Sequence, residues 1–180
     1  MWCDGLPLSS QRVVLDTNIL VRGLLNPHSD SGRILCACED RRVLVLISRE
    51  LLSEYRFVLH DPSLVDLYPA LDPFRVKIVL DRLMYIGERV QTIRTRFKFS
   101  RDKKDEKLIT LAIAGSASDL VTTDRDLLDL PHDGSTTGRR FRQRLANIAV
   151  LKPDQFVARH GRLCELRGFP VPSHGTVANL

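Results

Sequence analysis

Apolar residues fall into two kinds of run along this chain, and the two kinds alternate. Val13 to Leu15, Val43 to Ile47, Leu120 to Thr122 and Ile148 to Leu151 are short and almost unbroken, which predicts strands covered on both faces. Val90 to Ile93 predicts one more. Between them the apolar residues fall three and four apart. Ile19 to Leu25 predicts a helix ending near Asn26-Pro27, and Ser31 to Asp40 a second with Ile34, Leu35, Ala37 and Cys38 on one face. Ser48 is a cap for a third helix running to about His60. Asp72-Pro73 opens another that reaches about Ile86, with Val76, Val79, Leu80 and Leu83 at helical spacing. Lys104 to Ser116 and a short segment from Pro153 through Val157 complete the set.

Strands that alternate with helices predict an α/β fold in three layers, a central, mostly parallel sheet of four to five strands between helices. The expected domain spans 12–158, with an N-terminal extension at 1–11, a C-terminal tail at 159–180 and no internal repeat. Two stretches escape the pattern. Pro131 to Leu145, rich in Gly, Ser, Thr and Arg, predicts a mobile surface loop, and the end from about Gly161 a segment ordered only on contact or not at all.

The polar residues that matter are four acids placed by those elements. Asp16 and Asp124 end apolar strands, Asp105 falls in the first turn of its helix, and Glu54 lies about two turns into the helix after Val43 to Ile47. Ligands of open parallel sheets bind beyond the carboxyl ends of the strands, so all four can face one cleft. Carboxylates about 4 Å apart repel by roughly 4 kcal/mol per pair at an effective dielectric near 20. A hard divalent cation, Mg²⁺ or Mn²⁺, is the usual remedy, and it also binds phosphate oxygens. Each acid has a plainer reading: Asp16 as a helix cap, Asp105 as an acid favoured at a helix start, Glu54 as an exposed partner of an arginine, Asp124 as a turn residue with Asp126 the ligand.

Charge changes the picture more than composition does. The net charge is +5 although several acids are gathered in one place, so the rest of the surface is more basic still and a polyanion is the expected partner. Basic residues concentrate from Arg94 to Lys107, including Lys103, Lys104 and Lys107 around Asp105, and again at Arg139, Arg140, Arg142 and Arg144 around Phe141. Interleaved aromatics suit a single-stranded backbone. Cys3, Cys36, Cys38 and Cys164 form no zinc-type spacing and are expected as reduced thiols of a cytoplasmic protein. The five histidines are dispersed and expected at the surface. Neither a leader peptide nor the roughly 18 apolar residues of a membrane span is expected.

Four segments resemble a known family. VVLDTNILVRGLL (Val13 to Leu25), SRELLSEYRFVL (Ser48 to Leu59), RDKKDEKLITLAIAGSASDLVTTDRDLLDL (Arg101 to Leu130) and IAVLKPDQFV (Ile148 to Val157) are similar, in that order, to the PIN domain and within it to VapC-type toxin ribonucleases of toxin–antitoxin pairs. The resemblance implies a PIN-like fold and a Mg²⁺-dependent endoribonuclease, with Mn²⁺ a substitute. It makes Asp16, Glu54, Asp105 and Asp124 the metal-binding and catalytic acids, with Asn18 and Thr123 beside them and Asp102 and Asp126 nearby. It also implies an RNA substrate, a cognate antitoxin and a homodimer, for which the apolar helix from Val76 to Met84 is a candidate face. The insert PHDGSTTGRRFRQRLA departs from the family's toxins and leaves substrate preference open.

Two other function classes stay in view. One is a nucleic-acid-binding module with this fold and no hydrolytic activity. The other is an aspartyl-phosphate phosphatase of the haloacid dehalogenase type, whose chemistry wants an Asp two residues after the nucleophile, where this chain has Asn18.

Overall fold

Val13, Val14 and Leu15 have no polar side to offer water, and in the computed structural model they form the centre of a sheet, each at most 1% exposed. The structure describes residues 11–91, 96–99, 101–145 and 147–161. Along the chain come β1 (Arg12–Leu15), α1 (Thr17–Leu25), α2 (Asp30–Glu39), β2 (Leu44–Ile47), α3 (Arg49–Leu59), α4 (Pro62–Leu67), a 3-10 turn (Pro69–Leu71), α5 (Pro73–Ile86) and β3 (Glu88–Arg89). Then follow α6 (Glu106–Ala114), β4 (Asp119–Val121), α7 (Arg125–Asp129), a 3-10 turn (Leu130–His132), α8 (Thr136–Arg144), β5 (Ala149–Leu151) and α9 (Pro153–His160).

The sheet has five parallel strands in the order β3-β2-β1-β4-β5. The chain leaves β1 in one direction to build β2 and β3, then returns to the other side for β4 and β5. The reversal lies between β1 and β4, and in open sheets of this kind a crevice forms there beyond the strand ends. Register ties the two strands residue to residue, Val13 to Asp119, Val14 to Leu120 and Leu15 to Val121. The next residue of β1's chain, Asp16, is fixed by its amide donating to Val121 O at 3.0 Å.

Most helix starts match their sequence signals. Ser48 accepts from Leu51 N–H at 3.1 Å, and Asp72 from Phe74 and Arg75 N–H at 3.0 and 3.1 Å ahead of Pro73. Val76, Val79, Leu80 and Leu83 of α5 are buried in the core, so the inward face of that helix is used within the chain. The outward apolar residues are Phe57, Leu67, Tyr68, Phe74 and Tyr85.

Three expectations need correction. The stretch Pro131 to Leu145 is a turn and a helix rather than a mobile loop. Ser135 caps α8 through Gly138 N–H at 3.2 Å, and Phe141, 2% exposed, packs edge-on against Phe97 with ring centres 6.3 Å apart. Gly138 is required there, since a Cβ would stand 2.1 Å from Asp133 O. The strand expected at Val90 to Ile93 is displaced to Glu88–Arg89, because pairing with Leu46 and Ile47 sets it; Ile93 lies outside the described residues. Cys36 is disulfide-bonded, contrary to four reduced thiols, and burial pushes the free Cys38 thiol up to about 12.

The end of α9 also differs from expectation. It continues through Arg159 and His160 into the stretch assigned to the tail, and His160 is a packed residue with a side chain 7% exposed, stacked near Phe156 at 4.4 Å. The chain beyond residue 161 lies outside the described residues. Among the described residues no helix is long and apolar enough to cross a membrane.

Candidate active site

Two acids sit at the switch point because two strands end there. Asp16 caps α1 and Asp124 caps α7, each in extended backbone, and Asp124 accepts from Asp126 N–H at 2.7 Å and Leu127 N–H at 3.4 Å. Thr122, fully buried, ties them together. Its hydroxyl donates to Asp16 Oδ2 at 2.7 Å while its oxygen accepts from Asp124 N–H at 2.9 Å. Thr123, the threonine expected beside the acids, instead lines a hollow of about 450 Å³ with Arg22 and Lys152. The difference arises just past the end of β4, where the Thr122 hydroxyl faces Asp16 and the backbone of Asp124.

The other two acids arrive on helices. Glu54, in the second turn of α3, accepts from Thr17 Oγ1 at 2.8 Å through Oε1 and forms an ion pair with Lys107 through Oε2. Its neighbour Tyr55, fully buried, donates to Leu15 O at 2.6 Å and so fixes α3 against the end of β1. Thr17 was not anticipated, and its place at the first position of α1, directly after Asp16, was the available signal. Asp105 stands at the N-cap of α6 rather than inside its first turn, makes no capping hydrogen bond, and leaves Oδ2 buried without a partner.

These carboxyl groups act on one another. Burial raises Asp16 above the ordinary carboxylate value, helped by the charges of Glu54 and Asp124 and opposed by the hydrogen bonds from Thr122 and Asn18. Asp105 is pushed up to about 7, first by burial and then by Asp124, Asp102 and Asp16, with Lys107 pulling the other way. The four acids named from the sequence therefore belong to one electrostatic cluster.

The remaining expected residues divide. Asp102 shapes the turn before α6 by accepting from Lys104 N–H at 2.7 Å. Asp126 is exposed and stands 3.5 Å from Arg101, which also reaches Asp133 at 3.4 Å. Asn18 is exposed and meets the site only through its backbone N–H to Asp16, at 3.4 Å. Lys103 and Lys104 are exposed beside Asp105, and Lys107 bonds Lys104 O at 2.6 Å besides pairing with Glu54. Arg139 and Arg140 are exposed on α8, whereas Arg142 donates to Pro131 O and Asp133 O at 3.0 and 2.7 Å and braces the turn before that helix. Arg144 lines a hollow with Ser116, Ala117 and Asn147, the residues that lead into β4 and β5, at the opposite edge of the sheet from the acids.

As the side chains stand, no three His, Cys, Asp or Glu among the described residues lie together at metal-holding spacing. The donor chemistry nonetheless suits a hard divalent cation. The cluster is all oxygen, Asp16 and Asp105 have their proton affinity raised by burial and by neighbouring carboxylates, and Asp105 Oδ2 is buried with no donor. Lys107 supplies the charge that compensates Glu54.

Comparison with known proteins identifies the family of the fold. Residues 12–126 match the family model described as the PIN domain. Over 119 residues the chain is 28% identical to the uncharacterized protein MJ1680 of Methanocaldococcus jannaschii, a similarity that covers 66% of this chain and 74% of that protein. No solved structure matches the chain. A family model that runs from β1 to the start of α7, and with it spans all four acids, settles the assignment: the chain belongs to the PIN-domain family, whose members are generally nucleases that bind divalent metal ions.

Proposed function

We propose that this protein is a Mg²⁺-dependent endoribonuclease, with Mn²⁺ a working substitute, in which Asp16, Glu54, Asp105 and Asp124 hold the metal and carry the chemistry. The observation that supports it most is the crowding of these carboxyl groups at the switch point, with Asp105 Oδ2 buried and unpartnered. A divalent cation bound there supplies Lewis-acid stabilisation of the charge that builds on a scissile phosphate and makes a nearby water more acidic.

The chain's own residues do the rest. Thr122 orients the Asp16 carboxylate and accepts from the Asp124 backbone N–H through its single hydroxyl, while Asp126 and Leu127 N–H hold the Asp124 carboxylate. Tyr55 holds α3 so that Glu54 faces the same space, where its carboxylate can accept the proton of an attacking water once Lys107 turns to the phosphate. No side-chain nucleophile is needed. Lys103 and Lys104, exposed next to Asp105, are placed to meet the phosphates that flank the cut. Activity toward RNA, the role of a toxin silenced by a cognate antitoxin, action in the cytoplasm and assembly as a homodimer complete the proposal; these rest on the likeness of the four sequence segments to VapC-type ribonucleases.

One observation favours a second reading, a nucleic-acid-binding module without hydrolysis: Lys107 already neutralises Glu54, and no three acids stand at metal-holding spacing. Cleavage of labelled single-stranded RNA by wild type and Asp16→Asn, with Mg²⁺, with Mn²⁺ and with EDTA, separates the two. Cutting by the metal-supplied wild type alone is the expected result. Equal binding of RNA by both proteins with no cutting by either would replace the nuclease with the module.

A further inference from the structure

A second concave feature lies on the β3 side of the acids. The C-terminal ends of β2 and β3, the start of α3 and the chain leaving β3 enclose a hollow of about 450 Å³. Its apolar wall is Ile47, Leu52 and Val90, and its polar side is Arg49, Arg89 and Gln91. Among the described residues the side chains of Arg49 and Arg89 make no ion pair or hydrogen bond, and both are exposed. The hollow's one acid, Glu50, is held by Arg96 at 2.6 Å. The hollow beside Thr123 is different, because Asp30 and Asp154 there balance Arg22 and Lys152. An anion therefore favours the first.

Position relative to the acids gives the hollow its role. Glu50 and Glu54 are four residues apart on α3, so about 6 Å, just over one helical turn, separates the wall of the hollow from the acid cluster along that helix. Resting on the ribonuclease reading above, we infer that this hollow seats one nucleotide of single-stranded RNA next to the phosphate that is cut. The base lies against Ile47, Leu52 and Val90 with its edge toward the Gln91 amide, which both donates and accepts hydrogen bonds. Arg49 and Arg89 meet the phosphates on either side of that nucleotide, and a guanidinium plane can also stack on the base. The volume suits it, since small-ligand sites run from roughly 300 to 1,000 Å³. Specificity for the nucleotide beside the cut then comes from Gln91, while the two arginines add affinity for any sequence.

Fluorescence anisotropy of a labelled single-stranded RNA tests this across a salt series. The parent is Asp124→Asn, so that binding is read without cutting, and each variant's thermal melt is matched to it. Adding Arg49→Gln and Arg89→Gln removes two phosphate contacts, which lowers the slope of log affinity against log salt by about 1.4 and the affinity at 0.1 M salt by about 25-fold. Arg144→Gln, at the far edge of the sheet, leaves both unchanged. An abasic nucleotide moved along the RNA weakens binding to the parent at one position and has no such effect with Gln91→Ala and Leu52→Ala. Unchanged slope and affinity in the double arginine variant, while wild type cuts RNA, overturn the subsite and leave the ribonuclease standing. Loss of affinity in that variant while wild type cuts nothing supports the subsite and overturns the hydrolytic reading. A parent that binds no RNA overturns both.

Discussion

The two ends of the sheet carry acids of the same kinds in opposite circumstances. At the carboxyl ends of β1 and β4, Asp16, Asp105 and Asp124 have mainly one another, and Lys107 serves Glu54. Where β3 and β4 begin, the acids have basic side chains beside them, although Asp119 Oδ1 is itself buried without a hydrogen bond. Glu88, the first residue of β3, takes two hydrogen bonds from Arg12 at 2.5 and 2.8 Å. Asp119, the first residue of β4 and fully buried, accepts from Ser118 Oγ at 2.7 Å, with His160 Nε2 at 3.3 Å and Arg159 at 3.8 Å. Burial alone does not distinguish the ends. Neutralisation does: a buried acid with partners holds the fold, whereas buried acids facing each other are tolerated for what they bind.

Substitutions at the two ends should therefore behave as opposites. Asp16→Asn keeps a capping side chain and removes a charge from the crowded end. Divalent-dependent cleavage should drop by more than about 100-fold, beyond what loss of a supporting hydrogen bond costs, while the melting temperature holds or rises. Cleavage that survives, or a collapse of the melt, would erase the distinction between the ends. Thr122→Val leaves the acids in place and removes the hydroxyl that orients Asp16 and fixes the backbone of Asp124. A loss of about 10- to 100-fold in metal affinity or cleavage is expected from a metal titration followed by rate. At the matched end, Asp119→Ala should cost about 1–3 kcal/mol of stability in a denaturant melt and leave cleavage per folded molecule unchanged.

The smallest effect concerns protons. Asp105 keeps its proton up to about pH 7 in the fold, against an ordinary value of 3.8. Between those two values the folded chain binds more protons than the unfolded one, so the stability of the metal-free protein falls as pH rises through that window. Melts in EDTA from pH 4 to 8 should show the decline in wild type and a flatter course in Asp105→Asn. Metal binding needs the deprotonated carboxylate, so metal affinity should rise over the same window.

Much of this arrangement was readable from the chain, and the exceptions have physical causes. Continuous apolar runs located four strands, because a strand buried on both faces leaves no room for polar residues. The edge strand β3 escaped, since its register is set by Leu46 and Ile47 and its own residues, Glu88 and Arg89, carry no apolar signal. Asp16 and Asp124 were evident as the residues where strands stop. Thr122 was missed because the resemblance pointed to Thr123, and the hydrogen bonds of the Thr122 hydroxyl to Asp16 and to the backbone of Asp124 exist only in the folded chain. α8 was hidden by its composition: Arg139, Arg140, Arg142 and Arg144 look like solvated loop, while one residue, Phe141, supplies the buried anchor that makes the segment a helix. The Asp119 cluster could not be foreseen, as His160 and Asp119 are 41 positions apart and meet only through the docking of α9.

The phenol of Tyr55 gives the molecule a division of labour for change over generations. Its bond to Leu15 O sits among core residues, so the spacing between Glu54 and Asp16 is set by a frame that varies only when the interior is rebuilt. Arg49, Arg89, Lys103 and Lys104 stand on the open rim and can be exchanged without disturbing that frame. A lineage could thus change what its rim meets while inheriting the same acid-bearing floor.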